Sequence, residues 1–181
     1  MNAENTTAST TRLVDRHPGM TASELVEHLV PPRQFAAASF DNYIPDDRYP
    51  SQAAAVETMR AFAQGGGSTR GGGLFRRRAA EPVERPGVYL DGGFGVGKTH
   101  LLAALWHATT GRTFFGTFIE YTAIVGALGY REAVAHFRGA ALIAIDEFEL
   151  DDPGDTMVMS RLLGELADEE GHREAHAGEE R

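Results

Sequence analysis

The chain has 181 residues, 42% hydrophobic and 24% charged, enough for one packed core, and its formal net charge of −9 excludes a general electrostatic footprint for nucleic acid. It holds no cysteine, which excludes a disulfide scaffold and any thiolate metal site and suits a reducing compartment. No apolar run approaches the roughly 20 residues that span a bilayer and the polar start lacks a signal core, so the sequence reads as a soluble, cytoplasmic protein.

In chain order, residues 1–30 are a polar start that ends in a short amphipathic stretch over 22–30, stopped by Pro31 and Pro32. Residues 41–50 are an irregular loop rich in Asp, Pro and Tyr. Pro50 and Ser51 open a helix through Ala63, with Val56, Met59 and Phe62 at helical spacing. Together residues 31–64 form an N-terminal helical part. Residues 65–86, with two triple-glycine runs and Arg76-Arg77-Arg78, read as a linker or long surface loop whose basic triplet is a solvated charge.

The next stretch carries the chemistry. Residues 87–91 read as a short apolar strand. Gly92-Gly93-Phe94-Gly95-Val96-Gly97-Lys98-Thr99 fits G-x-x-x-x-G-K-[ST], and residues 99–108 read as a helix. Strand, glycine loop and helix is the order a phosphate-binding loop needs. Successive N–H groups must curl around phosphate oxygens, where side chains would collide with the ligand, and the helix start adds unpaired amides and the positive end of its dipole. Lys98 would reach the β and γ phosphates and the Thr99 hydroxyl would hold Mg²⁺. Lys98 is also the one lysine among seventeen basic residues. The Arg-for-Lys bias has a plain cause in a GC-rich genome, and against it a compact ammonium stands where phosphate would lie.

Residues 112–120, rich in aromatic and β-branched types, read as a second strand, and 124–137 as a helix interrupted by Gly126 and Gly129. Ala140-Ala141-Leu142-Ile143-Ala144-Ile145-Asp146-Glu147 is apolar on both faces, the pattern of a buried parallel strand, with an acidic pair at its carboxyl end, where open α/β sheets bind ligands. Asp146 would hold Mg²⁺ through its water shell, and Glu147 would orient and deprotonate the attacking water, which favours hydrolysis over phosphoryl transfer to a metabolite. Asp151-Asp152-Pro153-Gly154-Asp155 carries the cap and first-turn proline of a last helix, with Val158, Leu162 and Leu166 on one face. The alternation is that of an α/β P-loop NTPase, a parallel sheet flanked by helices. Two residues tempt a metal reading in the tail, His172 and His176, but the acid between them is misplaced for a zinc protease helix. His100 and His107 read as helix surface and Trp106 as core. Tyr43 and Gln52 read as packing or capping residues, with an approach to the adenine as the alternative.

These residues carry a resemblance. The runs 87–102 and 145–155, with Phe40-Asp41-Asn42-Tyr43-Ile44-Pro45 and Pro50-Ser51-Gln52-Ala53-Ala54-Ala55, resemble the ZapE family of cell-division ATPases in an actinobacterial form, over residues 30–168. The resemblance implies an AAA-like ATPase that binds ATP and Mg²⁺ through residues 92–99, with Asp146 and Glu147 in the metal and water roles. It further implies a nucleotide-dependent homo-oligomer, recruitment to the division site and the tubulin-like division-ring protein as partner. Two readings stand as alternatives: a DNA-associated P-loop loader, disfavoured by the charge, and a non-hydrolysing nucleotide-binding fragment.

The sequence departs from the family after Ala167. Members continue into an apolar strand ending in Ala-Thr-Ser-Asn, which carries the γ-phosphate sensor, and then to an arginine finger. Here residues 168–181 are charged, and 171–181 read as a solvated tail beyond a partial core at 87–170, so the sheet is expected to be incomplete through truncation and hydrolysis to be impaired. In this class the phosphate-loop strand lies between two strands later in sequence, so both its edges would be unpaired. Either the core is unstable, or strand 87–91 pairs directly with 141–146.

Overall fold

A computed structural model describes residues 22–65, 87–148 and 151–179, with side chains at 24–64, 87–148 and 151–167. The polar start, the Arg76-Arg77-Arg78 linker and the tail histidine side chains lie outside the described residues. The elements run α1 (Ala22–Glu27), a 3-10 turn (Arg33–Phe35), α2 (Pro50–Gly65), α3 (Lys98–Ala108), β1 (Thr113–Thr117), α4 (Phe118–Leu128), α5 (Tyr130–Phe137), β2 (Leu142–Asp146) and α6 (Pro153–Glu179). Among the described residues no helix is long and apolar enough to cross a membrane.

β1 and β2 pair in parallel with Thr113 opposite Leu142 and Thr117 opposite Asp146. Each strand is apolar on both faces because each face meets helices. Phe114, Ile143 and Ile145 pack on one side with α1, α4, α5 and α6, around Tyr121, Phe137, Met159 and Leu162. Phe115, Leu142 and Ala144 pack on the other with α2 and α3, around Met59, Ala103 and Leu105. Parity along β2 therefore directs Asp146, which follows Leu142 and Ala144 at intervals of two, toward the α3 side.

Three sequence expectations are corrected. The strand expected over 112–120 ends at Thr117, because Thr117 and Glu120 form a capping box that starts α4: the Thr117 hydroxyl accepts from the Glu120 N–H at 3.3 Å, and the Glu120 carboxylate accepts from the Thr117 N–H at 2.7 Å. The helix expected over 124–137 is two helices. Gly126 sits inside α4, while Gly129, at φ 80° and ψ 152°, breaks the chain between α4 and α5. Third, residues 87–91 form neither the expected strand nor a direct pair with β2, and the sheet contains β1 and β2 alone among the described residues. The side chains of 87–91 do alternate exposed and half-buried, with Val88 and Leu90 against the α2/α3 cluster, so the segment keeps the period of an extended chain without a strand partner among the described residues.

The last helix starts as expected, with the Asp152 carboxylate accepting from the N–H groups of Gly154 at 2.7 Å and Asp155 at 3.0 Å. It runs unbroken from the core through Glu179.

Candidate functional site

The loop before α3 adopts the conformations its glycines permit. Gly95 and Gly97 have φ of 74° and 86°, a region that charges most side chains a steric cost. A methyl built on Gly93 or Gly95 would meet no atom, so that side of the loop is open to an incoming anion. Gly97 is different: a methyl there would lie 2.6 Å from Tyr43 Cε2, so the backbone must pass against the ring. α3 begins at Lys98 and is long enough, at 11 residues, to present a helix N-terminus of free amides at the loop.

The Lys98 ammonium folds back over its own loop, donating to the carbonyls of Gly92 at 2.7 Å and Gly93 at 2.8 Å. Two of its three N–H donors are used and the third remains for a phosphate oxygen. Phe94, at the tip of the loop, is fully exposed.

The acidic end of β2 lines the same cavity as the loop. Asp146 is the last strand residue and half-buried, and Glu147 is exposed. Glu147 has φ 49° and is the one non-glycine residue with positive φ among the described residues. A left-handed backbone costs such a residue about 1–3 kcal/mol, and strain of this kind concentrates at functional sites. Here it turns the chain sharply where the acidic pair leaves the sheet. Lys98, Thr99, Asp146 and Glu147 all line one cavity of about 1070 Å³, together with Gly92, Phe94, Gly95, Val96 and Gly97. Gly93 does not line it and contributes its carbonyl to Lys98 instead.

The residues present fit a nucleotide with Mg²⁺. Glycines at positive φ, a helix start and a cation line the same cavity as Asp146 and Glu147. Among the described residues no three His, Cys, Asp or Glu side chains cluster to cage a metal. Mg²⁺ takes one or two protein ligands and the substrate's own phosphates. Thr99 and Asp146 both line the cavity, with Asp91 and Glu147.

Behind the loop the N-terminal part forms a brace that sequence reasoning placed only as packing or an adenine contact. The Tyr43 hydroxyl donates to the Val96 carbonyl at 2.7 Å, its ring lies beside Gly97, and it stacks at a tilt on His100 with centroids 5.7 Å apart. Gln52 Oε1 accepts from the Asp46 N–H at 2.8 Å and so shapes the segment that carries Tyr43. His100 and His107, expected on the helix surface, bond through Nε2 to the carbonyls of Ser39 and Phe35, each at 3.1 Å, tying α3 to the same segment. Trp106, expected in the core, is half-buried. Tyr43 and Val96 are 53 positions apart, and no local periodicity reports such a contact.

The AFG1-like ATPase family model matches residues 20–170, which span the brace, the loop, the sheet and most of α6. The chain belongs to the AFG1-like ATPase family. No curated protein and no solved structure matches it. Family membership supports ATP binding and ATPase activity in general, and the mixed fold with its small parallel sheet agrees with a P-loop ATPase.

The brace in this AFG1-like chain yields a first prediction. Tyr43→Phe keeps the ring against Gly97 and removes the hydroxyl that holds Val96, a neutral hydrogen bond worth about 1 kcal/mol. ATP affinity measured by titration calorimetry should fall about fivefold with the melting temperature nearly unchanged. An unchanged Kd would mean that the loop keeps its shape without the brace.

Proposed function

We propose that the chain binds Mg·ATP between residues 92–99 and the acidic end of β2, and hydrolyses it with Glu147 as the base. The observation that supports this most is the convergence of the phosphate loop and the strained Asp146-Glu147 turn on one cavity. The loop amides and the α3 N-terminus would hold the phosphates, and Lys98 would add its charge between the β and γ groups. Thr99 and Asp146 would hold Mg²⁺, which neutralises charge on the phosphate oxygens when bound. Glu147 would take the proton from water as it attacks the γ-phosphorus, and Phe94, Val96 and Gly97 would form the loop wall.

Turnover in this chain is proposed to be slow. No described arginine lines the cavity, and a transition-state arginine is worth a factor of about 10³–10⁵ in related ATPases and GTPases. Lys98 alone would face the charge that develops on the γ-phosphate. As the finer reading, carried by the resemblance of residues 40–55, 87–102 and 145–155 to cell-division ATPases, the protein acts on the tubulin-like division-ring protein, assembles as a nucleotide-dependent homo-oligomer and is recruited from the cytoplasm to the division site.

The single lysine makes the binding reading directly testable. Apart from the α-amino group, Lys98 is the only amine for an acylating reagent. Mg·ATP should protect it in peptide mass mapping, while AMP, which lacks the β and γ phosphates, should not. Equal labelling with and without Mg·ATP would refute the placement of Lys98 at the phosphates.

A further inference from the structure

The acidic end of β2 breaks the alternation of the strand that carries it. Ile143 and Ile145 pack with the α1, α4, α5 and α6 layer, while Leu142 and Ala144 pack with α2 and α3. A regular strand would return Phe148 to the α2/α3 side, two residues beyond Asp146. Phe148 packs instead with the same cluster as Ile143 and Ile145. The chain therefore changes face between 146 and 148, and Glu147, at φ 49°, is the residue that changes it.

The ring that Phe148 reaches is Phe118. Their centroids lie 5.2 Å apart with the planes at 73°, the edge-on geometry that aromatic pairs favour. Phe118 is 3% exposed and is the first residue of α4, which the Thr117–Glu120 capping box starts, so it is a fixed seat. Tyr89 also meets Phe148 edge-on, with centroids 6.4 Å apart, but Tyr89 is 72% exposed and offers no such seat. On the other side of the turn, Asp146 is the register partner of Thr117. Residues 146 and 148 are thus held by the neighbours 117 and 118, and a left-handed residue persists only where its surroundings over-determine it. Glu147 is exposed, so the backbone, rather than packing around its side chain, sets how that side chain leaves the strand end at the cavity it lines.

We infer that the Phe118–Phe148 clasp positions the proposed base: the two rings hold residue 147 left-handed and so aim the Glu147 carboxylate at the attacking water. Phe118 and Phe148 are positioning residues that act through the backbone at 147. The inference rests on the reading of Glu147 as the base, whereas the clasp itself can be measured without ATP. Freed of the clasp, residue 147 would relax to an ordinary φ and carry its carboxylate away from the place the strained turn gives it. A displacement of about 1 Å in a reacting group costs about 10²-fold in rate. ATP affinity would be spared, because the glycine loop and Lys98 set it.

Two double-mutant cycles on the full chain test this. The first reads melting temperature and uses no nucleotide. Glycine accepts φ 49° without steric cost, so Glu147→Gly should melt several degrees above the parent; in a Phe148→Leu background residue 147 is already relaxed and the gain should vanish. An equal gain in both backgrounds overturns the clasp. The second reads single-turnover hydrolysis at saturating Mg·ATP. Phe148→Leu should lower the rate about 10²-fold with Kd within about twofold, and Phe148→Tyr, which keeps the ring, should restore it. Added to Glu147→Gln, Phe148→Leu should cost nothing more, because no base is left to aim. Equal losses with Glu147 and with Gln at 147 show a general structural effect and overturn the positioning role. Full turnover in Glu147→Gln refutes the base and this role with it, while the melting cycle still reports on the clasp, so the two failures are distinct. Should Phe148→Leu fail to fold, NMR of the parent decides. Ring-to-ring contacts between Phe118 and Phe148 are expected, with the strong intraresidue N–H to Hα contact of a left-handed residue at 147, and the absence of either overturns the proposal.

Discussion

Replacing Lys98 with Ala should remove ATP binding, with Kd raised about 100-fold or more, because a charged hydrogen bond to phosphate contributes up to about 3 kcal/mol. The structure adds a second loss to that of the charge. Lys98 holds the Gly92 and Gly93 carbonyls at 2.7 and 2.8 Å, so alanine also releases the first half of the loop from α3. The two effects separate in Lys98→Arg. Arginine keeps the charge, but its planar fork cannot crosslink two adjacent carbonyls and still enter a loop shaped for a point charge. Calorimetric titration with Mg·ATP should therefore show Lys98→Arg nearly as weak as Lys98→Ala, with both melting within a few degrees of the parent because the ammonium is exposed rather than packed. Affinity of Lys98→Arg close to that of the parent would mean that general positive charge, rather than the fit of the ammonium, holds the nucleotide.

How much of this was legible in the sequence depends on whether the deciding interaction is local. The glycine loop before α3 and the Asp152 cap were, because their residues contact neighbours a few positions away. An apolar run marked β2, and the Asp152 cap with Pro153 marked the start of α6. The end of β1 was missed because Phe118 and Ile119 suit a strand as well as a helix, and the Thr117–Glu120 capping box decides between them. Residues 87–91 were read as a strand on composition. A strand, however, is a paired backbone, and pairing depends on a neighbour that no local pattern contains. The Tyr43 brace has the same character: its meaning comes from Val96 and Gly97, far along the chain. At β2 the acidic pair was visible as chemistry, while the left-handed turn at Glu147 was not, since glutamate has no preference for that conformation.

That turn makes Glu147 the most informative single position. Glu147→Gln keeps the size and hydrogen bonding of the side chain but cannot accept a proton, so ATP affinity should stay within about twofold while turnover falls about 10²–10⁴-fold, the usual contribution of a positioned base. Because slow turnover is proposed for the parent, the comparison is made under single-turnover conditions with radiolabelled ATP. Glu147→Gly separates chemistry from structure. Glycine takes φ 49° without penalty, so this variant should melt higher than the parent, by several degrees for a relief of about 1 kcal/mol, while hydrolysing no faster than Glu147→Gln. A residue kept only for folding would show no such opposition, because relieving its strain would raise stability and leave turnover intact. If Glu147→Gln retains full turnover, the base lies elsewhere, and the strained turn must then serve to aim Asp146 alone.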